Sequence, residues 1–478
     1  MSDGREPEAR EAAPPLRVAI VGGGPSGWGA AEALSHRRWG GAFEVTVFER
    51  NAYFGGKCHT VFPDGTPCNG APGGYELGAG VLSKDSWSTA DLEALLARHG
   101  IAYCDAAEPQ RAKYRFYSGG TPVTGRTWAR LLVLRPWLLL LGLLDFLRFR
   151  LGLFRYSRRP TLDYAGRPAA LHRPFSSVHS STLNRAVCFG MQAFGYADTS
   201  APGLTAPLLY YHQYARPDVL WNPVYRLERG MQGIWWRVAS AYPAARARLH
   251  AEVLRVERHE GSVTVETATS RETFDHLVIA VPLRPQLPFL DATEDERALL
   301  AKVRCNHYVT VLCRVAGLTD IAHVVVDNAV EPQRLGGVVF AYKRYPDSDW
   351  VTLNLYADPA HERTDAEILD VVERDLTREL NATMVERASA SVHHHPDYFP
   401  HLAPEDLAAG WYEHFEQRVQ GQRRTLWVSS GLHMETVGSS VQYATAKVNA
   451  LAPIWLREAQ RERYAETPAF STVAQLKE

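Results

Sequence analysis

Alternation and apolar runs divide the chain before any chemistry is read. LRVAIV at 16–21 is a short apolar run rich in β-branched residues, the pattern of a buried parallel strand. The glycine turn GGGPSG follows at 22–27, and WGAAEAL continues it as a helix. FEVTVFER (43–50) alternates as a second strand. RGMQGIWWRVA (229–239) predicts a helix. ARLHAEVLRVERHEGSVTVET (247–267) predicts two strands, a hairpin turn at Glu260-Gly261 and a third strand. FDHLVIAVPL (274–283) predicts another buried strand. TLWVSSGLHMETVGSSVQYATAKVNAL (425–451) predicts a strand, two turns and a helix.

Two long insertions separate these pieces. The first reads as mostly helical. The second carries strands at HYVTVLCRV (307–315), GGVVFAYKRY (336–345) and DWVTLNLYA (349–357), then a helix in AEILDVVERDLTREL (366–380). His393, His394 and His395 precede Pro396 and predict a solvated loop. Consecutive side chains point apart, so the triplet is a poor metal site, and no metal is expected.

RLLVLRPWLLLLGLLDFLRFRLGLF (130–154) is very apolar, but Arg135, Asp145, Arg148 and Arg150 interrupt it. No run approaches the ~18 apolar residues of a spanning helix. Three readings stand: a half-buried helix pair, a lid over a lipophilic channel, or a surface-lying membrane contact.

Composition narrows the class. At 478 residues, 46% hydrophobic and 22% charged, the chain is too long for one core and too apolar for disorder. A net charge of −1 argues against a nucleic-acid surface. The six cysteines include no CxxC pair and read as reduced thiols in a cytoplasmic protein. Residues 1–15 are charged and proline-bearing, which predicts a flexible tail rather than a secretory leader.

Gly22, Gly24 and Gly27 match G-x-G-x-x-G between a strand and a helix. The first glycine permits the tight turn, the second lets backbone approach a pyrophosphate, and the third lets helix pack on strand. Pro25 and Ser26 open the helix, whose N–H groups face phosphate. Glu49 lies 22 residues after Gly27, close to the ~20 expected for a carboxylate on ribose hydroxyls. Arg50 follows it.

After Glu49 comes NAYFGGKCHT (51–60). This E-x5-GG-[KR] pattern resembles the extended dinucleotide motif of the flavin-dependent amine oxidase and phytoene desaturase superfamily. Carried over to this chain, Gly55 and Gly56 pass near pyrophosphate and flavin, and Lys57 stands where the family usually has Arg. GYELGAGVLSKD (74–85) resembles the next signature, with Gly78, Ala79, Gly80 and Val81 passing the flavin ring. Val253 takes the family's adenine-holding position. Gly431 is similar to the turn at the ribityl chain, although an acid follows only at Glu435. The helix N-terminus from Val437 to Gln442, with Val437 and Ser440 as candidate contacts, stands where the family supports the flavin pyrimidine, a placement that favours anionic reduced flavin.

The resemblance implies an α/β fold: a Rossmann-like FAD-binding domain of glutathione-reductase type, an inserted mixed α+β substrate domain, and a helical lid near 126–156. The implied division is 16–85, 225–290 and 420–455 for FAD, 86–224 and 291–419 for substrate, and 456–478 as a tail. GGKCHT, CFGMQAFGYADTSAP and FDHLVIAVPLRPQLPFLDATEDERALLAKVRCNHYVT bring the chain nearest to polyunsaturated fatty acid isomerase and β-cyclopiazonate dehydrogenase-like oxidoreductases. The expected cofactor is FAD.

No second G-x-G-x-x-G follows a strand, so no site for a nicotinamide cofactor is expected, and the substrate itself must reduce the flavin. Hydride from a doubly allylic C–H to flavin N5 would give double-bond isomerisation or desaturation of a lipophilic unsaturated substrate. Phe189, Phe194, Tyr196, Tyr210, Tyr211, Tyr342 and Tyr356 suit an apolar channel. Lys84, Lys343 and Arg344 are candidate anchors for a substrate carboxylate. Lys343 beside Tyr342 also keeps an oxygen-dependent amine oxidase in view. A flavin-bearing non-catalytic pathway partner is the third alternative. Cys58 reads as a packed thiol.

Overall fold

A computed structural model describes residues 13–80, 82–83, 89–102, 114–124, 133, 137, 140, 144, 195, 224–330, 334–357, 362–403, 405–406 and 409–466. Its first sheet is parallel: β1 (Leu16–Val21), β2 (Phe43–Phe48), β3 (Ala247–Arg248), β4 (His276–Ile279) and β5 (Thr425–Trp427), in the order β5-β4-β1-β2-β3. β1 lies in the middle, and all of it except Arg17 is buried. Cover on both faces is why it reads as an almost continuous apolar run.

Helix α1 (Pro25–Leu34) leaves β1, α2 (Gly230–Ala239) precedes β3, and α3 (Val437–Glu466) leaves β5. α1 and α3 both return from strands of one parallel sheet, so both N-termini stand at the sheet's C-terminal edge. They pack closely at Gly29, where a Cβ would lie 3.0 Å from Val441 Cα. α3 continues through Glu466, so the segment expected as a tail after 455 begins as helix.

An antiparallel meander, Val253–Arg258, Val263–Thr267 and Arg271–Phe274, connects β3 to β4. The single strand expected over 274–283 is therefore divided. Phe274 ends the meander, the Asp275 carboxylate accepts the Arg17 N–H at 2.6 Å, and only His276–Ile279 joins the parallel sheet.

The second sheet has eight strands drawn from 114–122 and 304–401. Arg304–Ala316 pairs with Trp350–Tyr356 on one side and Ser391–His401 on the other. Strand alternation sends Val309, Val311, Cys313, Leu353 and Leu355 to the face covered by the helix Asp365–Glu379. A reciprocal cap between Thr364 and Glu367 starts that helix. Tyr308 and Tyr356 go to the opposite face with Phe340 and Tyr342.

The histidine triplet is a correction. It lies in the strand Ser391–His401, opposite Tyr308, Val309 and Thr310, rather than in a solvated loop. Alternation separates its rings. His394 meets His307 at 3.0 Å and Asp365 at 2.9 Å, whereas His395 turns inward to Thr310 Oγ1 at 3.2 Å. In the apolar segment, Val133, Trp137, Leu140 and Leu144 are helical and exposed. The rest of the expected lid lies outside the described residues. Among the described residues, no helix is long and apolar enough to cross a membrane.

Candidate active site

The strand order reverses direction between β1 and β4, and a crevice at such a point, beyond the strands' C-terminal ends, is where open α/β sheets bind ligands. Gly22 turns there at φ +109°, and a Cβ on it would lie 3.1 Å from the Ala280 carbonyl carbon. A Cβ on Gly27 would lie 1.9 Å from the Gly22 carbonyl oxygen, so only glycine lets α1 start this close to β1. Gly24 precedes the helix, Pro25 and Ser26 open it, and no side chain caps it. Its first-turn N–H groups therefore suit an anion.

Glu49 follows β2 and is buried. Its carboxylate accepts the Gly23 and Asn51 N–H groups, each at 2.9 Å. Burial raises its pKa, and those two donors act against the rise. Arg50 beside it is exposed. The Ala251 N–H donates to the Glu49 carbonyl at 2.8 Å, which brings the strand begun by Val253 alongside the acid.

A second glycine turn meets the first backbone to backbone. The Gly55 N–H donates to the Gly23 carbonyl at 2.8 Å, and a Cβ on Gly56 would lie 3.4 Å from Gly24 Cα. The Lys57 ammonium pairs with Glu435, donates to the Asp397 carbonyl at 2.7 Å, and stands 5.2 Å from the Tyr398 ring centroid. A Cβ on Gly78 would lie 1.9 Å from the Lys57 carbonyl oxygen, to which the Ala79 N–H donates at 3.1 Å. One on Gly80 would lie 3.7 Å from the Tyr342 ring. Val81 and Lys84 lie outside the described residues.

The C-terminal turn closes the same edge. Gly431 adopts φ +100° against Leu283 and Pro400, and Tyr412 donates to its carbonyl at 2.9 Å. Glu435 also accepts the Phe399 N–H at 2.6 Å. Thr436 caps α3 by accepting the Ser439 N–H at 3.2 Å. α3 starts at Val437, and the Ser440 hydroxyl donates back to the Thr436 carbonyl at 2.8 Å.

His433 was not among the residues read from sequence. Its Nδ1 lies 2.8 Å from the Met434 carbonyl, and its Nε2 lies 3.3 Å from the Ser26 hydroxyl and 3.4 Å from the Val428 carbonyl. Full burial pushes its pKa down to about 4 and keeps it neutral. It ties the first turn of α1 to the loop before α3. No motif announces it, because the contact spans more than 400 residues.

Arg344 is a correction. It is buried and forms an ion pair with Glu76, which also accepts from the Thr60 hydroxyl at 2.7 Å and the Met231 N–H at 3.1 Å. A guanidinium consumed in this way braces the 74–80 loop and is not a substrate anchor. The Lys343 ammonium donates to the Leu318 carbonyl at 3.3 Å. Cys58 is buried, and burial pushes its thiol up to about 12, which makes it inert. Tyr342 and Tyr356 join the tyrosine face, whereas Phe189, Phe194, Tyr196, Tyr210 and Tyr211 lie outside the described residues.

Two glycine turns, an uncapped helix start and a buried carboxylate gathered at one sheet edge fit a flavin cofactor. The model of the flavin-containing amine oxidoreductase family matches residues 25–424. No curated protein matches the sequence. Among solved structures, the CLA-producing fatty acid isomerase from P. acnes is 23% identical, with a TM-score of 0.70 over 91% of this chain and 98% of that one. Cyclohexylamine oxidase from Brevibacterium oxydans IH-35A is 18% identical, with a TM-score of 0.66 over 93% of this chain and 100% of that one. At these identities the likeness establishes a shared fold. The family match covers most of the chain, and the chain therefore belongs to the flavin-containing amine oxidoreductases: it is a flavin-dependent oxidoreductase.

Proposed function

We propose that the chain uses FAD to take hydride from a lipophilic unsaturated substrate, a polyunsaturated fatty acid or another polyene, giving double-bond isomerisation or desaturation. The tyrosine-lined face of the second sheet carries this reading. Tyr308 stacks on Tyr398 at 4.9 Å and meets Tyr356 edge-on at 5.3 Å. Tyr342 adjoins Gly80, and Tyr398 adjoins Lys57, so the face abuts the flavin loops. Such a wall suits an apolar chain and excludes water.

Bound flavin supplies a two-electron acceptor, which the protein's own side chains lack. The chain's residues contribute binding and orientation. With flavin bound, α1 and the Gly55-Gly56 turn would hold pyrophosphate and Glu49 would hold ribose hydroxyls, while the pair of Lys57 with Glu435 fixes the loop beside them. The likeness to a fatty acid isomerase agrees with this reading, as does the lack of a second dinucleotide motif in the sequence. The contact between Tyr308 and Tyr398 leaves no gap between their rings for an ammonium group, which weighs against an amine-binding cage at that pair.

The test is to release the cofactor by acid, weigh it, and then challenge the yellow protein without oxygen with linoleate, a panel of amines and NADPH. FAD mass and a response to linoleate alone are expected. FMN, or bleaching by amines or NADPH but not linoleate, would overturn the reading.

A further inference from the structure

Val133, Trp137, Leu140 and Leu144 are helical, and their spacing of four, three and four puts them on one stripe. The stripe is open to solvent: the four residues are 80%, 57%, 60% and 43% exposed. Scattered exposed apolar residues need no explanation, but an aligned row marks a contact surface. The sequence around the stripe is strongly basic. Residues 126–159 carry eight arginines and one acid, Asp145, in a chain whose net charge is −1. The uncharged run from 136 to 144 is nine residues, far short of the ~20 needed to span a bilayer.

We propose that this stripe seats the protein on an anionic lipid surface, with the helix lying in the headgroup boundary. The apolar row enters the boundary, tryptophan favours that depth, and the arginine-rich segment draws the helix to negative headgroups. Charge selects this occupant over a second copy of the chain. A symmetric pair would bring two arginine-rich segments together, whereas an anionic bilayer neutralises one. The seat holds whatever the substrate is.

The experiment is flotation of the full-length, flavin-loaded protein with vesicles of phosphatidylcholine alone or mixed with phosphatidylglycerol. Binding to the mixed vesicles is expected, weakened by salt and much lower on phosphatidylcholine alone. Trp137→Glu with Leu140→Glu should lower the bound fraction at least about tenfold, the scale of losing one buried large apolar side chain. Both side chains are exposed, so melting temperature and flavin content should match the parent. Val385→Glu, at a site 50% exposed and outside the 126–159 segment, should leave binding unchanged. No flotation by the parent, or binding unaltered in the double variant, overturns the proposal. A parent that is dimeric by light scattering and made monomeric by the same substitutions would also overturn it, and would assign the stripe to a second copy.

Discussion

Replacing Gly27 with alanine tests the cradle at its tightest point. The new Cβ would lie 1.9 Å from the Gly22 carbonyl oxygen, where real contacts begin near 3.0 Å, and Ala280 Cβ blocks another side at 3.4 Å. Both clashing groups are backbone or stubs on backbone, so no side-chain rotation relieves them. α1 must back away by about 1.1 Å, from 1.9 to 3.0 Å. That strain costs about 1–3 kcal/mol of stability. The same shift would stretch N–H···O bonds from the helix start to phosphate from about 2.9 Å to about 4 Å, beyond hydrogen-bond reach. Losing even one charge-assisted bond of about 1.5–3 kcal/mol weakens flavin binding by roughly ten- to a hundredfold. The assay is flavin stoichiometry after gel filtration, a binding titration of the stripped protein, and melting temperature. Gly261→Ala is the control, because its Cβ would meet nothing within 4 Å. A Gly27→Ala protein that keeps full flavin, parental affinity and parental melting temperature would refute the argument.

Three further outcomes are expected. Glu49→Ala removes the acceptor of two backbone donors and the proposed ribose ligand, so flavin affinity should fall at least about tenfold in a titration, with Glu49→Gln intermediate. Arg344→Ala leaves Glu76 buried without its cation and should cost about 3–5 kcal/mol in denaturant unfolding; unchanged stability with a raised KM for carboxylate substrates would restore its role as an anchor. Burial depresses the folded-state pKa of His433 to about 4, so its proton binds better in the unfolded chain. Its contribution is intact above pH about 6.5 and declines as pH falls toward 4, by about 3 kcal/mol in all, and His433→Gln should flatten the pH dependence of unfolding by about one proton.

Much of the cofactor half was legible because its constraints are local. A strand buried on both faces must be apolar, and a turn with Gly22 at φ +109° must be glycine, so LRVAIV-GGGPSG carries its own geometry. Glu49 and the Gly55-Gly56 turn follow at short spacing. The missed features depend on distant partners. Glu76 and Arg344 are 268 residues apart, and two isolated charged residues in sequence look like surface until the fold joins them. His433 gains its role only when α3 packs beside α1. The histidine triplet resembled a loop because polar residues and Pro396 mask a strand. Its pairing with Arg304–Ala316 and the inward turn of His395 are tertiary facts that override propensity.

The central claim, that a lipophilic unsaturated substrate gives its hydride to the flavin, is tested most directly by product analysis without oxygen. Flavin-loaded protein is incubated with linoleate, and product mass, ultraviolet spectrum and flavin colour are followed together. The account predicts one of two results. Either a conjugated product of unchanged mass forms over many turnovers, or one equivalent of product two hydrogens lighter forms as the flavin bleaches. Unaltered linoleate and other polyenes beside a flavin that amines reduce would contradict it.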